Sequence, residues 1–470
     1  MKQWADKSML VSGKSVLVLG LGETGLSLVR WLSAQGAHVR VADSREHPPS
    51  LDLLHTQFPQ VEVRCGIFRS ELLDGIELVA ISPGVPLRDP FVVKAAARGL
   101  PIVGDIELFA LALPKKNVPK VIAISGSNGK TTVTSMVGAM CRAAGKETLV
   151  AGNISPAVLD VLMQRDGKHP DIWVLELSSF QLETTASLNA DAATVLNISE
   201  DHMDRYPDMG EYIAAKARIF RANGQGGVQV LNRDDADSSA MALLERKHIT
   251  FGVNSPPVSA VDWGIENTDG DIWLVQGKQR VMKASELQVE GMHNVANALA
   301  ALALCRAIDL PLPTLLDALR NFRGLPHRVE AVAEIRDVIY YDDSKGTNVG
   351  ATVAALNGLG RRVVVILGGD GKGQDFSPLA AVVAQHARAV VLIGRDADKI
   401  AAALHSCAVP LLYASDMNDA VRQSAGQAQA GDAVLMSPAC ASFDMYRNYV
   451  HRAEAFISAV RTLEAEAAWT

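Results

Sequence analysis

The chain has 470 residues, 48% apolar, 21% charged and 5% aromatic, which is enough apolar material for packed cores and too much for a disordered chain. At about 100–200 residues per domain, the length implies two to four domains, with three as the central value. Acidic residues outnumber basic ones 52 to 45, and the net charge of −7 excludes a general attraction to nucleic-acid backbones or anionic lipid.

No apolar run reaches the roughly 18–20 residues that cross a bilayer. The longest, residues 296–308, is interrupted by Arg306 and reads as a core helix. The first ten residues carry Trp4, Asp6 and Lys7 instead of the basic-then-apolar pattern of a secretory signal. The five cysteines (Cys65, Cys141, Cys305, Cys407, Cys440) are odd in number, widely spaced and free of any C-x-x-C pair. These features predict a reduced, cytoplasmic protein with no membrane or nucleic-acid partner.

In chain order, residues 15–19 read as a buried strand, 25–35 as a helix and 38–42 as a second strand, followed by strands at 78–82 and 101–103. That alternation predicts a parallel sheet with helices on its faces. A polar, proline-bounded connector at 114–119 precedes a restart of the pattern at 121–124. A second restart follows residues 322–326, with strands at 338–341, 362–367, 389–393 and 433–436. Between them, short runs at 227–231 and 272–275 predict a small subsheet on the middle unit. The expected fold is therefore α/β in three domains: a Rossmann-like N-terminal sheet over 1–107, a central P-loop ATPase-like domain over 108–324, and a C-terminal open, Rossmann-like α/β sheet over 325–470.

The strongest motif is Gly126-Ser127-Asn128-Gly129-Lys130-Thr131-Thr132, set between the strand at 121–124 and a helical run at 133–144. Such a loop aims backbone N–H groups at phosphate, Lys130 adds a cation and the Thr131 hydroxyl can ligate Mg²⁺. It is shorter than G-x-x-x-x-G-K-[ST] unless Ala123 takes the first-glycine position.

Gly20-Leu21-Gly22-Glu23-Thr24-Gly25 also follows a strand and opens a helix, and Asp43 ends the next strand. This predicts a nucleotide site with Asp43 accepting from a ribose or base. Ser82-Pro83-Gly84 closes another strand, as a ligand contact or a plain turn.

Glu176 ends the strand at 172–175, and Asn197-Ile198-Ser199-Glu200-Asp201-His202 follows the strand at 193–196. Both ends can share an edge with the glycine loop. Glu176 and Thr131 would supply oxygen to Mg²⁺, with His202 a less usual ligand. Lys216 falls three residues after Ile213 and four before Phe220, on the apolar stripe of the helical run 211–220. Periodicity favours an amine that snorkels to solvent. The alternative is a buried, neutral amine able to take up CO₂ as a carbamate, an added carboxylate ligand.

These segments, with Glu176-Leu177-Ser178-Ser179-Phe180-Gln181-Leu182-Glu183, Asp201-His202-Met203-Asp204-Arg205-Tyr206, Leu325-Pro326-His327-Arg328, Asp343-Ser344-Lys345 and Ser437-Pro438-Ala439-Cys440-Ala441-Ser442, resemble the Mur ligases in identity and order. The nearest resemblance is to the branch that adds D-glutamate.

The resemblance implies an ATP-dependent amide synthesis in peptidoglycan precursor formation, carried out by a monomer. The alanyl carboxylate of UDP-N-acetylmuramoyl-L-alanine attacks the γ-phosphate, and D-glutamate then displaces phosphate from the acyl-phosphate. It assigns Gly22, Thr24, Asp43, Ser44, Arg45, Ser82 and Gly84 to the UDP end of the substrate. ATP falls to residues 126–132 with Asn294, Asn297, Arg328 and Asp343. Lys130, Asn153, His202 and Lys216 act at the reacting centre, with Lys216 carbamylated. Two Mg²⁺ ions are implied, Thr131 and Glu176 holding the first and His202 with Lys216 the second. D-Glutamate falls to Lys345, Thr347, Lys372, Ser442 and Phe443.

Gly346 stands where the family more often has alanine, and residues 224–227 and 256–263 are expected as surface insertions in a somewhat long member. A nicotinamide-dependent oxidoreductase would use the first glycine motif and leave Lys130 and Lys216 without a role. Another amide ligase of this fold, such as a folylpolyglutamate synthetase, would share the chemistry, but the Gly20–Gly25 unit and the lysine-and-serine glutamate set argue against it. A non-catalytic nucleotide-binding regulator would keep the glycine loop, and the joint presence of Lys130, Glu176, His202 and Lys216 weighs against that reading.

Overall fold

The computed structural model describes residues 11–165, 167–221 and 226–468. The N-terminal segment read above for a signal, and residues 224 and 225 of the insertion expected at 224–227, lie outside the described residues.

Three sheets follow one another. The first contains β1 (Ser15–Leu19), β2 (His38–Asp43), β3 (Glu62–Cys65), β4 (Leu78–Ile81) and β5 (Ile102–Val103), all parallel, in the order β3-β2-β1-β4-β5. The order reverses between β1 and β4, so a crevice opens at their carboxyl ends, where Gly20 and Ser82 meet.

The central sheet holds β6 (Lys120–Ser125), β7 (Thr148–Gly152), β8 (Ile172–Glu176), β9 (Ala192–Val195), β10 (Val228–Asn232), β11 (His248–Phe251), β12 (Trp263–Thr268), β13 (Asp271–Gln276) and β14 (Gln279–Lys283). Their order is β14-β13-β12-β11-β10-β9-β6-β8-β7, with only the β12–β13 and β13–β14 pairs antiparallel. Strand β6 lies between β8 and β9, with Ile124 opposite Glu176 and Ser125 opposite Val195. The glycine loop, Glu176 and the segment running to His202 therefore leave the sheet at one edge. Strands β6 and β8, buried on both faces, are near-continuous apolar runs, as parallel strands covered by helices must be.

The third sheet contains β15 (Glu330–Ile335), β16 (Val338–Asp342), β17 (Val363–Gly368), β18 (Ala387–Ile393), β19 (Leu411–Tyr413) and β20 (Ala433–Met436), in the order β15-β16-β20-β17-β18-β19. Only β15 is antiparallel. The loops after β16, β20 and β17 thus emerge together, carrying Asp343 to Thr347, Ser437 to Phe443 and Lys372.

The helix Met292–Ala307 is buried along most of its length against the helix Lys130–Ala143, as the apolar run at 296–308 predicts. The boundary expected near 107 lies within the helix Asp105–Ala112, which packs on the central unit: Phe109 meets Trp173 edge-on at 5.0 Å, and Glu107 accepts from Ser187 Oγ at 2.6 Å. The segment 256–263, expected as a surface insertion, is largely exposed over 256–261 and returns to the core at Asp262 and Trp263, where β12 begins. No helix among the described residues is long and apolar enough to cross a membrane, and all five cysteines are free thiols.

Candidate active site

Gly129 has φ +81° and Gly126 φ +147°, backbone conformations that favour glycine. A Cβ on Gly129 would also stand 2.6 Å from Asn297 Oδ1. The helix beginning at Lys130 presents its free N–H groups beyond this loop, an arrangement that attracts anions. Lys130 Nζ folds back to donate to Gly126 O at 2.8 Å and Ser127 O at 2.9 Å. Burial lowers its pKa, against the pull of Glu176 and Asp201. Thr131 and Thr132 fill the first helical turn, with Thr132 lining the second cavity described below.

Lys216 does not snorkel. It is 2% exposed, donates to Gly126 O at 2.8 Å and lies 4.6 Å from the centre of the Tyr212 ring. The helix Met209–Ala217 turns it inward, towards a carbonyl that already accepts from Lys130. Burial first, then the Lys130 charge, push its amine well below the usual lysine value.

Glu176 is also 2% exposed. Its Oε1 accepts from Asn153 Nδ2 at 3.1 Å, and its buried Oε2 has no protein partner. His202 has φ +60°, packs edge-on against Phe180 at 4.6 Å and is pushed down to about 4 by burial, with Lys372, Lys130 and Lys216 adding to the effect and Asp201 opposing it. Near neutrality it is an uncharged imidazole able to accept or ligate.

The orphaned Glu176 carboxylate oxygen and the Thr131 hydroxyl are the oxygen donors a hard divalent cation takes, the neutral His202 imidazole is a softer donor, and Lys216 would join such a set only as a carbamate. Among the described residues, the one group of three His, Cys, Asp or Glu with mutually close donor atoms is His327, Glu330 and Asp342, which the sequence reading did not single out as a metal set.

Gly22, Thr24, Asp43, Ser44, Arg45, Ser82 and Gly84 all line one pocket between the first and central units, facing Asn153, Ser155 and Gln181. Asp43 is engaged within the protein. Its Oδ2 accepts from Leu21 N at 2.6 Å and Arg45 Nη2 at 2.6 Å, while Oδ1 accepts from Arg45 N and Nε at 2.9 and 2.8 Å. Burial would raise its pKa, but the Arg45 bonds outweigh it and hold the carboxyl low. Asp43 therefore orients Arg45 and the first glycine turn.

Between the central and C-terminal units, a second cavity is lined by Asn128, Gly129, Asn294, Asn297, Arg328, Asp343 and Lys345. Asn297 Nδ2 donates to Asn294 Oδ1 at 3.2 Å, so the pair shares one helical face as its spacing predicts. Burial pushes Asp343 up to about 7, although Ser437 Oγ donates to it at 2.6 Å. Burial, then Arg328, push Lys345 down to about 8; its Nζ sits 3.8 Å from the Tyr449 ring centre.

Lys372 forms an ion pair with Asp201 of the central unit. Thr347 is half-buried and Ser442 buried. The loop of Ser442 is joined to that of Lys372 by paired backbone bonds between Asp370 and Ala441 at 2.8 and 2.9 Å. Phe443 is the outlier, its side chain 73% exposed.

Sequence reasoning missed Asp201 as a site residue, and it missed Arg452. The latter is buried on the helix Tyr449–Ala468, donating to Ser344 Oγ at 3.1 Å, Ser344 O at 2.9 Å and Cys440 O at 3.0 Å, and so tying two of the loops together. Its position four residues before the buried Phe456 is the same signal that exposed Lys216.

Comparison with known proteins agrees with this construction. Three family models match in order: the Mur ligase MurD-like, N-terminal domain over residues 14–104, the Mur ligase middle domain over 124–305, and the Mur ligase, glutamate ligase domain over 327–440. The UDP-N-acetylmuramoylalanine–D-glutamate ligase of Nitrosospira multiformis is 59% identical over 97% of each chain. That of Thiobacillus denitrificans is 56% identical over 98% of this chain and 99% of its own.

Among solved structures, the UDP-N-acetylmuramate–alanine ligase of Thermotoga maritima shares the fold with a TM-score of 0.59 at 19% identity, over 96% of this chain and 99% of that one. MurF of Acinetobacter baumannii gives a TM-score of 0.59 at 18% identity, over 96% and 92%. With three units matched in sequence and relatives alike over nearly their whole length, the chain belongs to the Mur ligase family.

Proposed function

We propose that this chain is an ATP-dependent ligase that joins D-glutamate to UDP-N-acetylmuramoyl-L-alanine in peptidoglycan precursor synthesis. The observation that carries the reading is the continuity of the first pocket with the glycine-loop edge. One pocket runs from Arg45 and Thr24 to Asn153, whose amide holds Glu176 beside Lys130. A nucleotide bound at the first glycine turn would thus extend its far end towards the phosphate loop. In this division of labour, residues 1–107 take the UDP moiety, 108–324 bind ATP, and 325–470 bring the amino acid and close over the nucleotide.

Two anions must meet, the alanyl carboxylate and the γ-phosphate. Lys130 would exchange its two carbonyl acceptors for phosphate oxygens, and the helix N-terminus would bind the rest of the chain of phosphates. Asn294, Asn297, Arg328 and Asp343 would hold the nucleotide across the second cavity. Lys216, as a neutral amine, can bond CO₂ through its nitrogen and lose a proton, leaving a carbamate in place of a second buried cation. Thr131 and Glu176 would hold one Mg²⁺ and His202 with that carbamate a second, and the ions would supply charge neutralisation between the reacting anions.

Carboxylate attack on the γ-phosphorus expels ADP and yields the acyl-phosphate; the glutamate amine then attacks the acyl carbon and phosphate leaves. Lys345, Lys372, Thr347, Ser442 and the backbone at Phe443 would hold the two glutamate carboxylates, with Lys372 exchanging Asp201 for one of them. Closure of the C-terminal unit keeps water from the acyl-phosphate.

The test is turnover with ATP, Mg²⁺ and UDP-N-acetylmuramoyl-L-alanine, adding D-glutamate, L-glutamate or L-lysine separately. Phosphate release is expected with D-glutamate, together with a product heavier by one glutamyl residue. Turnover confined to another amino acid would overturn the assignment.

A further inference from the structure

Asn348 precedes the helix Val349–Gly358, the first of the C-terminal unit, and is 3% exposed. Its Oδ1 accepts from Ala351 N at 2.9 Å, an N-cap bond that fixes which way the amide faces. Nδ2 therefore points out of the unit, donating to Asn128 Oδ1 at 3.0 Å and lying 3.4 Å from Asp201 Oδ2.

Because Asn348 Nδ2 is a donor, the Asn128 amide must present Oδ1 to it, which leaves its Nδ2 to meet Ser199 Oγ at 3.2 Å, while the Asn128 backbone N donates to Asn197 Oδ1 at 2.8 Å and holds the loop. A helix cap in one unit is thus hydrogen-bonded to the glycine loop of another. Gly350 adds an independent observation. A Cβ there would stand 2.8 Å from Ser199 Oγ and 3.0 Å from Asn128 Nδ2, so the first turn approaches the loop more closely than a side chain permits.

The choice of cap residue is also informative. Serine, threonine and aspartate cap helices about as well as asparagine, but aspartate would set a third acceptor against Asn128 Oδ1 and Asp201 Oδ2, and a hydroxyl is too short to span the gap.

We propose that Asn348 and Gly350 form a closure latch, with Asn348 a positioning residue that couples seating of the C-terminal unit to the geometry of the glycine loop through Asn128. The role of that loop in ATP binding rests on the function proposed above; the latch adds how closure is sensed there.

Asn348→Ser keeps the cap and removes the reach, and Asn348→Asp keeps cap and shape but reverses the hydrogen-bonding sense. Thermal melting, steady-state kinetics, and small-angle scattering with and without a non-hydrolysable ATP analogue would be measured on the full chain. Melting temperatures near wild type are expected for both, with kcat about three- to ten-fold lower in Asn348→Ser, as for loss of one neutral hydrogen bond. A larger loss is expected in Asn348→Asp, with the KM for the UDP substrate unchanged. Both should show less compaction with the analogue, and adding Asn128→Ala to Asn348→Ser should lower kcat by less than the product of the separate effects.

Wild-type compaction and kcat in Asn348→Asp would overturn the latch, as would activity losses that merely follow the folded fraction. If wild type compacts with the analogue and the variants do not, while no amide product forms, the latch stands and the proposed function fails.

Discussion

Replacing Lys216 by alanine is expected to lower kcat about a hundred- to a thousand-fold, the scale for losing one preorganised electrostatic group from a reacting centre, while the chain stays folded. As an unmodified ammonium, Lys216 would share the Gly126 carbonyl with Lys130 and be almost wholly removed from water. Such an arrangement favours the neutral amine, the form that reacts with CO₂. Lys216→Glu should recover part of the activity, because its carboxylate can stand in for a carbamate on a shorter stem.

Wild-type turnover should fall when CO₂ and bicarbonate are stripped from the buffer and return when they are restored, whereas Lys216→Glu should be indifferent. Full activity in Lys216→Ala would remove the residue from the reaction. Stability supplies a second readout. An amine whose folded-state pKa lies below its ordinary 10.5 binds fewer protons folded than unfolded, so stability rises with pH between the two values. Lys130 and Lys345 contribute in the same direction. Without bicarbonate, Lys216→Met should flatten the rise of melting temperature from about pH 7 to 10; an unchanged slope would show that the amine is not perturbed.

Gly152→Ala should be a severely damaging methyl addition beside Glu176, lowering stability by about 3 kcal/mol. Gly152 has φ +115° at the end of β7, directly opposite Glu176 in β8. A Cβ would lie 2.1 Å from the Glu176 carbonyl oxygen and 3.1 Å from its carbonyl carbon. Both are backbone atoms, so no rotamer change relieves the clash and the strands must part. Asn153 N donates to that same carbonyl at 2.8 Å, and Asn153 Nδ2 holds the carboxylate.

The surviving folded protein should therefore have a displaced Glu176 and need more Mg²⁺ to reach half-maximal rate. Gly75→Ala is the control, with φ +73° and nothing within 4 Å of an added Cβ; it carries only the left-handed backbone penalty of about 1–2 kcal/mol. Urea unfolding and Mg²⁺ titration of activity separate the two effects. Equal destabilisation in both variants would mean that the β7–β8 contact yields easily.

The doubly covered interior strands, such as β6, β8 and β17, were legible because they are buried on both faces and read as unbroken apolar runs. The sequence reading passed over the edge strands β3, β7, β14, β15 and β19, and also β11 and β12, which lie inside the central sheet but mix polar residues into part-exposed runs. Strand β3, Glu62-Val63-Arg64-Cys65, shows why: a half-exposed edge mixes charged and apolar residues and leaves little pattern. The glycine loop was legible because all its chemistry is contiguous.

Lys216 was visible as an oddity, but its direction depends on Gly126, ninety positions away, and periodicity carries no information on that. Asp43 illustrates the opposite difficulty. Its place at a strand end was correctly read, while Arg45, two residues on, occupies the oxygens that the motif alone left free. The Asp201–Lys372 pair spans two units, and its partners became evident only when the sheet edges were brought together.

The most direct test of the central claim uses UDP-N-acetylmuramoyl-L-alanine labelled with ¹⁸O in both oxygens of its alanyl carboxylate, incubated with ATP, Mg²⁺ and D-glutamate. The account predicts that the released phosphate carries one labelled oxygen and the new amide retains the other, because the carboxylate attacks phosphorus before the amine displaces it. Amide product accompanied by unlabelled phosphate would contradict the acyl-phosphate route.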